Sequence, residues 1–183
     1  MTEFEKMRSQ LLTNFSDSTI AESIDKAQKL LQKLNAMTSS DQEYRIVLQQ
    51  LIPNIPESSL IQPPFHCDHG NGIRLGTNVF INYNCTFLDG AYITIGNHVK
   101  IGPNVQIYTP NHPIDYQERR KPQETSFPVT IGDDVWIGGN VTILPGVTIG
   151  PRTVIGAGSV VTHDIPSDSV AVGNPCKVVK QNT

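Results

Sequence analysis

One histidine of the five stands where acid–base chemistry is possible. His112 lies in the stretch Tyr108-Thr109-Pro110-Asn111-His112-Pro113-Ile114-Asp115, with prolines close on both sides. Proline fixes the backbone beside it. An imidazole titrates near neutrality, so a pre-oriented one is suited to take a proton from a hydroxyl group and give it back. Glu124 adds a carboxylate further along the same polar stretch. Lys177 and Lys180, near the C-terminus, are candidates to meet a phosphate. Trp136, the single tryptophan, is expected to face outward as a subunit contact or the wall of a substrate groove.

Other chemistries find less support. His66 and His69 precede the first regular repeat, His98 occupies a turn position and His163 lies late in the chain. A catalytic zinc site needs three converging ligands, and no spacing adds a third imidazole to His66 and His69, so no metal is expected. The cysteines Cys67, Cys85 and Cys176 form no C-x-x-C pair. They read as small apolar core residues. Cys67 and Cys85 are spaced to stack on adjacent turns of a repeat.

What must position these groups is a period of six. Ile95, Ile101 and Ile107, then Ile131, Ile137, Ile143, Ile149, Ile155 and Val161, all fall in one frame. A glycine often follows, as at Gly96, Gly102, Gly132 and Gly138, and Val99, Val105, Val135 and Val141 keep a second small position. This is the hexapeptide signature of a parallel β-helix. Three hexapeptides make one triangular turn, each side a short strand, with the leading aliphatic residue pointing inward over its counterpart one coil away. Ile95, Ile131 and Ile149 are therefore expected on related edges of the prism. The glycines are expected at the corners, where positive φ and close backbone approach are needed. The frame slips by two around Asp89-Gly90, which reads as a small protruding loop. Residues 109–128 abandon the pattern: polar and proline-bearing, they read as a long excursion, a common place for function.

Residues 1–60 read as a helical leader. Thr2 with Glu5 is a capping box before Phe4, Met7, Leu11 and Leu12. Ser16-Asp17-Ser18 opens a second helix with Ile20, Ile24, Ala27, Leu31 and Leu34 on one face, and Ser40 with Glu43 offers the cap of a third through Tyr44, Val47, Leu48 and Leu51. Helices this short need a partner surface, and the open end of the β-helix is one. Residues 61–183 then form the β-helix unit. The formal charge of -3 and the lack of a basic run beyond Arg119-Arg120-Lys121 argue against nucleic acid. No apolar stretch reaches membrane-span length, and the charged start lacks the apolar core of a signal peptide, so a cytoplasmic protein is expected.

Residues 73–177 resemble the hexapeptide-repeat acyltransferases, and the whole chain resembles their sugar O-acetyltransferase branch, the maltose and galactoside acetyltransferases. The resemblance rests on Pro63-Pro64-Phe-His-Cys-Asp-His-Gly, Asn82-Tyr-Asn-Cys-Thr-Phe-Leu-Asp89, Ile107-Tyr-Thr-Pro-Asn-His-Pro-Ile-Asp115, Pro128-Val-Thr-Ile-Gly-Asp-Asp-Val-Trp-Ile-Gly-Gly139 and Gly173-Asn-Pro-Cys-Lys-Val178. It implies an all-β fold, a left-handed parallel β-helix with a short N-terminal α-helical segment and an excursion loop, assembled as a homotrimer with active sites between subunits. It implies acetyl transfer from acetyl-CoA to a sugar hydroxyl by direct attack in a ternary complex, with His112 as general base. Asp68, Asn82, Glu124 and Asn14 match acceptor-binding positions. Trp136, Gly139, Ala157, Thr162, His163, Lys177 and Lys180 match the coenzyme groove. Three positions differ from the family pattern: the acceptor-contacting Asp of the leader is Asn14 or Phe15 here, Gly90 follows Asp89, and His163 stands where Lys or Arg commonly follows. Same-fold alternatives are acetyl transfer to an antibiotic or serine hydroxyl, a metal-dependent enzyme of the carbonic anhydrase type, and a non-catalytic scaffold.

Overall fold

The computed structural model describes residues 1–181; residues 182 and 183, the end of the expected β-helix unit, lie outside it. From Leu60 the chain winds into a left-handed parallel β-helix with three faces. The first face stacks the strands Leu60–Ile61, Phe80–Ile81, Lys100–Ile101, Trp136–Ile137, Val154–Ile155 and Ser169–Val172. The second stacks Phe65–Cys67, Cys85–Leu88, Gln106–Tyr108, Thr142–Ile143 and Val160–Val161, and the third Ile73–Leu75, Ile93–Ile95, Val129–Ile131 and Thr148–Ile149. Ile131 pairs with Ile95 below and Ile149 above, and all three are buried. Each fully buried aliphatic side chain contributes roughly 1.5–3 kcal/mol.

The departures from six share one place. Steps from the first face to the second, and from the third to the first, keep the six-residue frame. Between the second and third faces one coil keeps it, with Thr130 paired to Thr148, and the last coil is two residues short, with Ile149 paired to Ile165. The earlier coils are longer: Ile73 pairs with Ile93, and Ile93 with Val129. Extra residues therefore leave the prism at residues 68–72, at 88–92 and, most of all, at the excursion.

This corrects two expectations. The frame slips twice, at Asp68–Gly72 as well as at Asp89–Gly90. Cys67 consequently pairs with Phe87, and Cys85 with Phe65, so the two cysteines do not stack, though both are buried. The second correction concerns the glycines. The positive φ angles of the corners are carried mostly by Asn78, Asn84, His98, Asn104, Asp134 and Asn140, at 56–59°, and by glycine at Gly146 and Gly158 in the later coils. Asn and Asp tolerate this region through local hydrogen bonding. The hexapeptide glycines answer to space alone. A Cβ on Gly138 would lie 2.6 Å from the Ala157 nitrogen, and one on Gly102 2.6 Å from the Gly139 nitrogen. Strands less than 5 Å apart leave no room for it.

Helix α1 (Glu3–Arg8) is closed by the expected Thr2/Glu5 capping box. Asp17 caps α2 (Ser18–Leu34) by accepting the Thr19 amide. The Ser40 cap is not formed. Helix α3 (Tyr44–Leu51) starts behind Glu43 without a side-chain cap, because the Asp41 carboxylate and the Ser40 hydroxyl are taken by Thr38 in a preceding turn. Packing holds α3 instead: Leu48, Leu51 and Ile52 join Ile61 and Phe65 in one core. The Tyr44 hydroxyl donates to the Ile61 carbonyl and accepts its amide, and Asn35 bridges both backbone groups of Phe65. The leader thus closes the first coil.

The excursion, expected as a loop, carries structure of its own. Pro110–Asn111 pairs antiparallel with Gln123–Ser126, and Thr13–Asn14 of the leader pairs with the same strand as its outer edge. A short helical turn, Tyr116–Arg119, caps itself on Asp115. Backbone pairing here replaces the apolar stripe that the segment lacks.

Ile149→Asp places an unpaired carboxylate in the stack and is expected to abolish cooperative folding, read as loss of the sheet circular dichroism signal and of a melting transition. Ile149→Val, at a cost of about 0.5–1.5 kcal/mol, should keep both.

Candidate functional site

A cavity of about 280 Å³ opens on the irregular edge of the prism. Four pieces of chain line it. The leader supplies Met7, Phe15, Ile20 and Ile24; the two slipped corners supply Asp68, His69, Leu88 and Gly90; the excursion supplies Pro110, His112 and Glu124. The walls are therefore largely apolar, and the polar groups are two carboxyls and two imidazoles.

The excursion's sheet places its residues. Thr13 pairs with Glu124 and Asn111 with Thr125, so His112 and Glu124 extend from neighbouring strands. The Phe15 ring meets the His112 ring edge to face, 6.0 Å between centroids at 80°. Burial raises the pKa of Glu124 above its ordinary value, and the nearby His112 opposes the rise.

The slipped corners are organised by Asp89. Its fully buried carboxylate accepts the amides of His69 at 2.8 Å, Gly70 at 3.2 Å and Gly72 at 2.9 Å. Gly70 has a φ of +75°, and its missing Cβ would otherwise meet the Leu51 carbonyl at 2.5 Å. Asp68 precedes this turn and faces the cavity. Burial, then the charges of Asp89 and Glu124, push its pKa up to about 7, against the pull of Arg8. His69 is moved the other way. Burial lowers it to about 4, with Asp89 opposing, so its ring is neutral at pH 7. Its Nδ1 lies 2.9 Å from the Ser23 hydroxyl and its ring meets Phe4 edge to face.

Of the residues singled out in the sequence, His112, Glu124 and Asp68 come together here. Asn14 does not: it lines a separate recess with Glu3, Lys6 and Gln123, while Phe15, its alternative, faces the cavity. Asn82, Gly139 and Ala157 lie on another edge of the prism, between the first and second faces, where the Gly158 amide donates to the Gly139 carbonyl. Trp136 projects from the first face, 58% exposed, between Lys100 and Val154. Thr162 and His163 share a hydrogen bond of 2.8 Å near the last coil. Lys177 and Lys180 sit on an antiparallel C-terminal strand opposite Val172 and Val170. Within one chain Asn82, Gly139 and Ala157 are therefore on a different edge from the cavity, while Thr162 and His163 lie on the cavity's edge in the last coil.

Sequence reasoning passed over His69, Met7, Ile20, Ile24 and Leu88 as cavity residues. The frame slip at Asp89–Gly90 pointed to the place, but nothing in the leader showed which apolar residues would turn towards it. Among the described residues, no group of three or more His, Cys, Asp or Glu side chains is placed to hold a metal ion. No described helix is long and apolar enough to cross a membrane.

Residues 128–163 match the family model for the bacterial transferase hexapeptide, six repeats. The chain superposes on a maltose O-acetyltransferase from Clostridium difficile 630 with a TM-score of 0.97, at 46% identity over 100% of this chain and 98% of that one. It superposes on a hexapeptide-repeat-containing acetyltransferase from Vibrio cholerae O1 biovar eltor, complexed with acetyl-CoA, with a TM-score of 0.93 at 40% identity over the full length of both. The galactoside O-acetyltransferase of Escherichia coli K12 is 37% identical over 83% of this chain and 75% of its own length. The chain belongs to the hexapeptide-repeat acetyltransferases, in the group that holds the maltose and galactoside O-acetyltransferases. It is an acyltransferase.

The raised Asp68 has a consequence for stability. The unfolded chain releases this proton above about pH 4, whereas the folded protein holds it up to about pH 7. Folding stability is therefore lost through this group as pH rises across that window. Asp68→Asn removes the cost. Its melting temperature is expected to exceed the wild type's by about 2–6 °C at pH 8, with the gap closing towards pH 4.

Proposed function

We propose that this protein transfers the acetyl group of acetyl-CoA to a hydroxyl of a sugar of the maltose, glucose or galactoside type. The observation that carries the reading is the meeting of His112, Glu124 and Asp68 in one largely apolar cavity. Apolar side chains suit the C–H faces of a pyranose, and carboxyl groups suit its hydroxyls.

The reaction is direct attack within a ternary complex. His112 takes the proton of the acceptor hydroxyl as its oxygen bonds to the thioester carbonyl carbon. The tetrahedral oxyanion accepts hydrogen bonds from backbone N–H groups around Gly139. It collapses by breaking the C–S bond, and the imidazolium returns the proton to the departing sulfur. No residue of the chain becomes acylated. A positioned base contributes about 10²–10⁴-fold, and loss of an oxyanion donor costs about 10²–10³-fold. Asp68 and Glu124 orient the sugar. Trp136, Gly139, Ala157, Thr162 and His163 bind the coenzyme, and Lys177 and Lys180 supply the cations for its phosphates in place of a basic residue at position 163.

The acceptor cavity and the group Asn82, Gly139 and Ala157 occupy different edges of one prism. A cytoplasmic homotrimer reconciles them, one subunit's irregular edge facing its neighbour's regular one, so that Asn82 reaches the acceptor from across the junction. The exposed Trp136 lies on a face available for that contact.

His112→Ala is expected to lower kcat at least a hundredfold in a thiol-release assay with maltose, glucose or a galactoside, while calorimetry finds acetyl-CoA binding unchanged. Full activity in the variant would remove His112 as the base. Initial-rate lines against the two substrates should intersect, as a ternary complex requires; parallel lines would show an acylated enzyme.

A further inference from the structure

We infer that Arg8 is a positioning residue for the acceptor, and that through it the helical leader builds one wall of the acceptor site as well as closing the coil. The inference rests on the functional reading above. Arg8 ends α1, and its side chain is only 8% exposed. Its guanidinium donates to the carbonyls of Asp89 and Gly90, the latter at 2.9 Å, and to Asn71 Oδ1 at 2.5 Å. It lies 3.9 Å from the Asp89 carboxylate and over the Phe4 and Tyr92 rings, 5.1 Å from each centroid. A Cβ on Gly72 would collide with it.

These partners share one property. Asn71 and Gly72 belong to the first slipped corner, and Asp89, Gly90 and Tyr92 to the second. Both corners hold extra residues that no hexapeptide stack secures, and both line the acceptor cavity through Asp68, Leu88 and Gly90. A planar guanidinium offers several donors in a fixed fork, so one side chain ties the two corners together. Asp89 completes the tie by holding the amides of the Asp68 corner. None of Arg8's contacts reaches the edge carrying Gly139. Burial lowers the pKa of Arg8, with Asp89 opposing. Buried ion pairs are weak sources of net stability, and the aliphatic stack already holds the prism.

Arg8 also sets the charge of the acceptor wall. The groups acting on Asp68 are Asp89 and Glu124, which raise its pKa, and Arg8, which lowers it; His112 and the neutral His69 complete the cavity's titratable set. Removing Arg8 leaves Asp68 harder to ionise.

The test compares wild type with Arg8→Met, which keeps an apolar stem. Acceptor KM is expected to rise at least tenfold, with KM for acetyl-CoA within twofold and kcat at saturating acceptor within threefold. The pH at which acceptor kcat/KM rises should move upward. In Arg8→Ala, added guanidinium ion at millimolar concentration should restore part of the acceptor affinity. If Arg8→Met does not fold, Arg8→Lys keeps the charge without the fork and should show a smaller rise in acceptor KM alone. An unchanged acceptor KM, or both KM values rising together with a fallen melting temperature, would overturn the inference. If the wild type releases no CoA with any sugar, the functional reading fails instead. The clamp is then judged by amide exchange at Gly70 and Gly72, which must quicken in Arg8→Met; unchanged exchange there would overturn it.

Discussion

The structure depends on one repeated contact, an aliphatic side chain stacked on its counterpart a single coil away. Ile95 on Ile131 on Ile149 is one such column. The contact forces strands to ordinary sheet spacing, which excludes side chains where backbone crosses backbone, so glycine follows the aliphatic residue. A prism held this way tolerates insertion only at its corners. Here one of its three edges takes every insertion, and that edge carries the cavity lined by His112, Asp68 and Glu124.

The cavity illustrates how charge is handled once it leaves the regular repeat. Four ionisable groups, Asp68, Asp89, Glu124 and Arg8, are brought close by four separate segments. Asp89 is spent on backbone amides and keeps the corner in shape. Asp68 and Glu124 have fewer partners and stay harder to ionise than free carboxylic acids. Such groups bind sugar hydroxyls either as donors or as acceptors, according to protonation. His112 sits at the mouth, held by the short antiparallel sheet and braced by Phe15. The leader is thus structural at the coil's open end and chemical at its irregular edge.

Much of this was legible in the residues. The period of six fixed the β-helix and its inward column, because burial repeats with the backbone. The leader's helices followed from their apolar spacing and, for two of them, from their caps. His112 stood out because prolines flank it within a polar excursion. Other features were hidden. The second frame slip, at Asp68–Gly72, precedes the clear repeat, so no established frame existed against which to see it, and the supposed Cys67–Cys85 stack failed for that reason. The excursion's strands pair through backbone, which leaves no apolar pattern. Most positive φ angles of the corners fell on Asn, Asp and His, while the glycines that follow the aliphatic residues answered to steric closeness. No motif marks Arg8; its contacts arise from two corners that meet only after the coil is wound.

The most direct measurement is a crystal structure of the protein with a sugar acceptor and CoA bound together. The account predicts the sugar in the cavity between Phe15 and Glu124, one hydroxyl within about 3 Å of a His112 ring nitrogen and turned towards the coenzyme sulfur, with that coenzyme lying along the Gly139 edge of a neighbouring subunit. A sugar bound elsewhere, or a His112 ring facing away from both ligands, would contradict it.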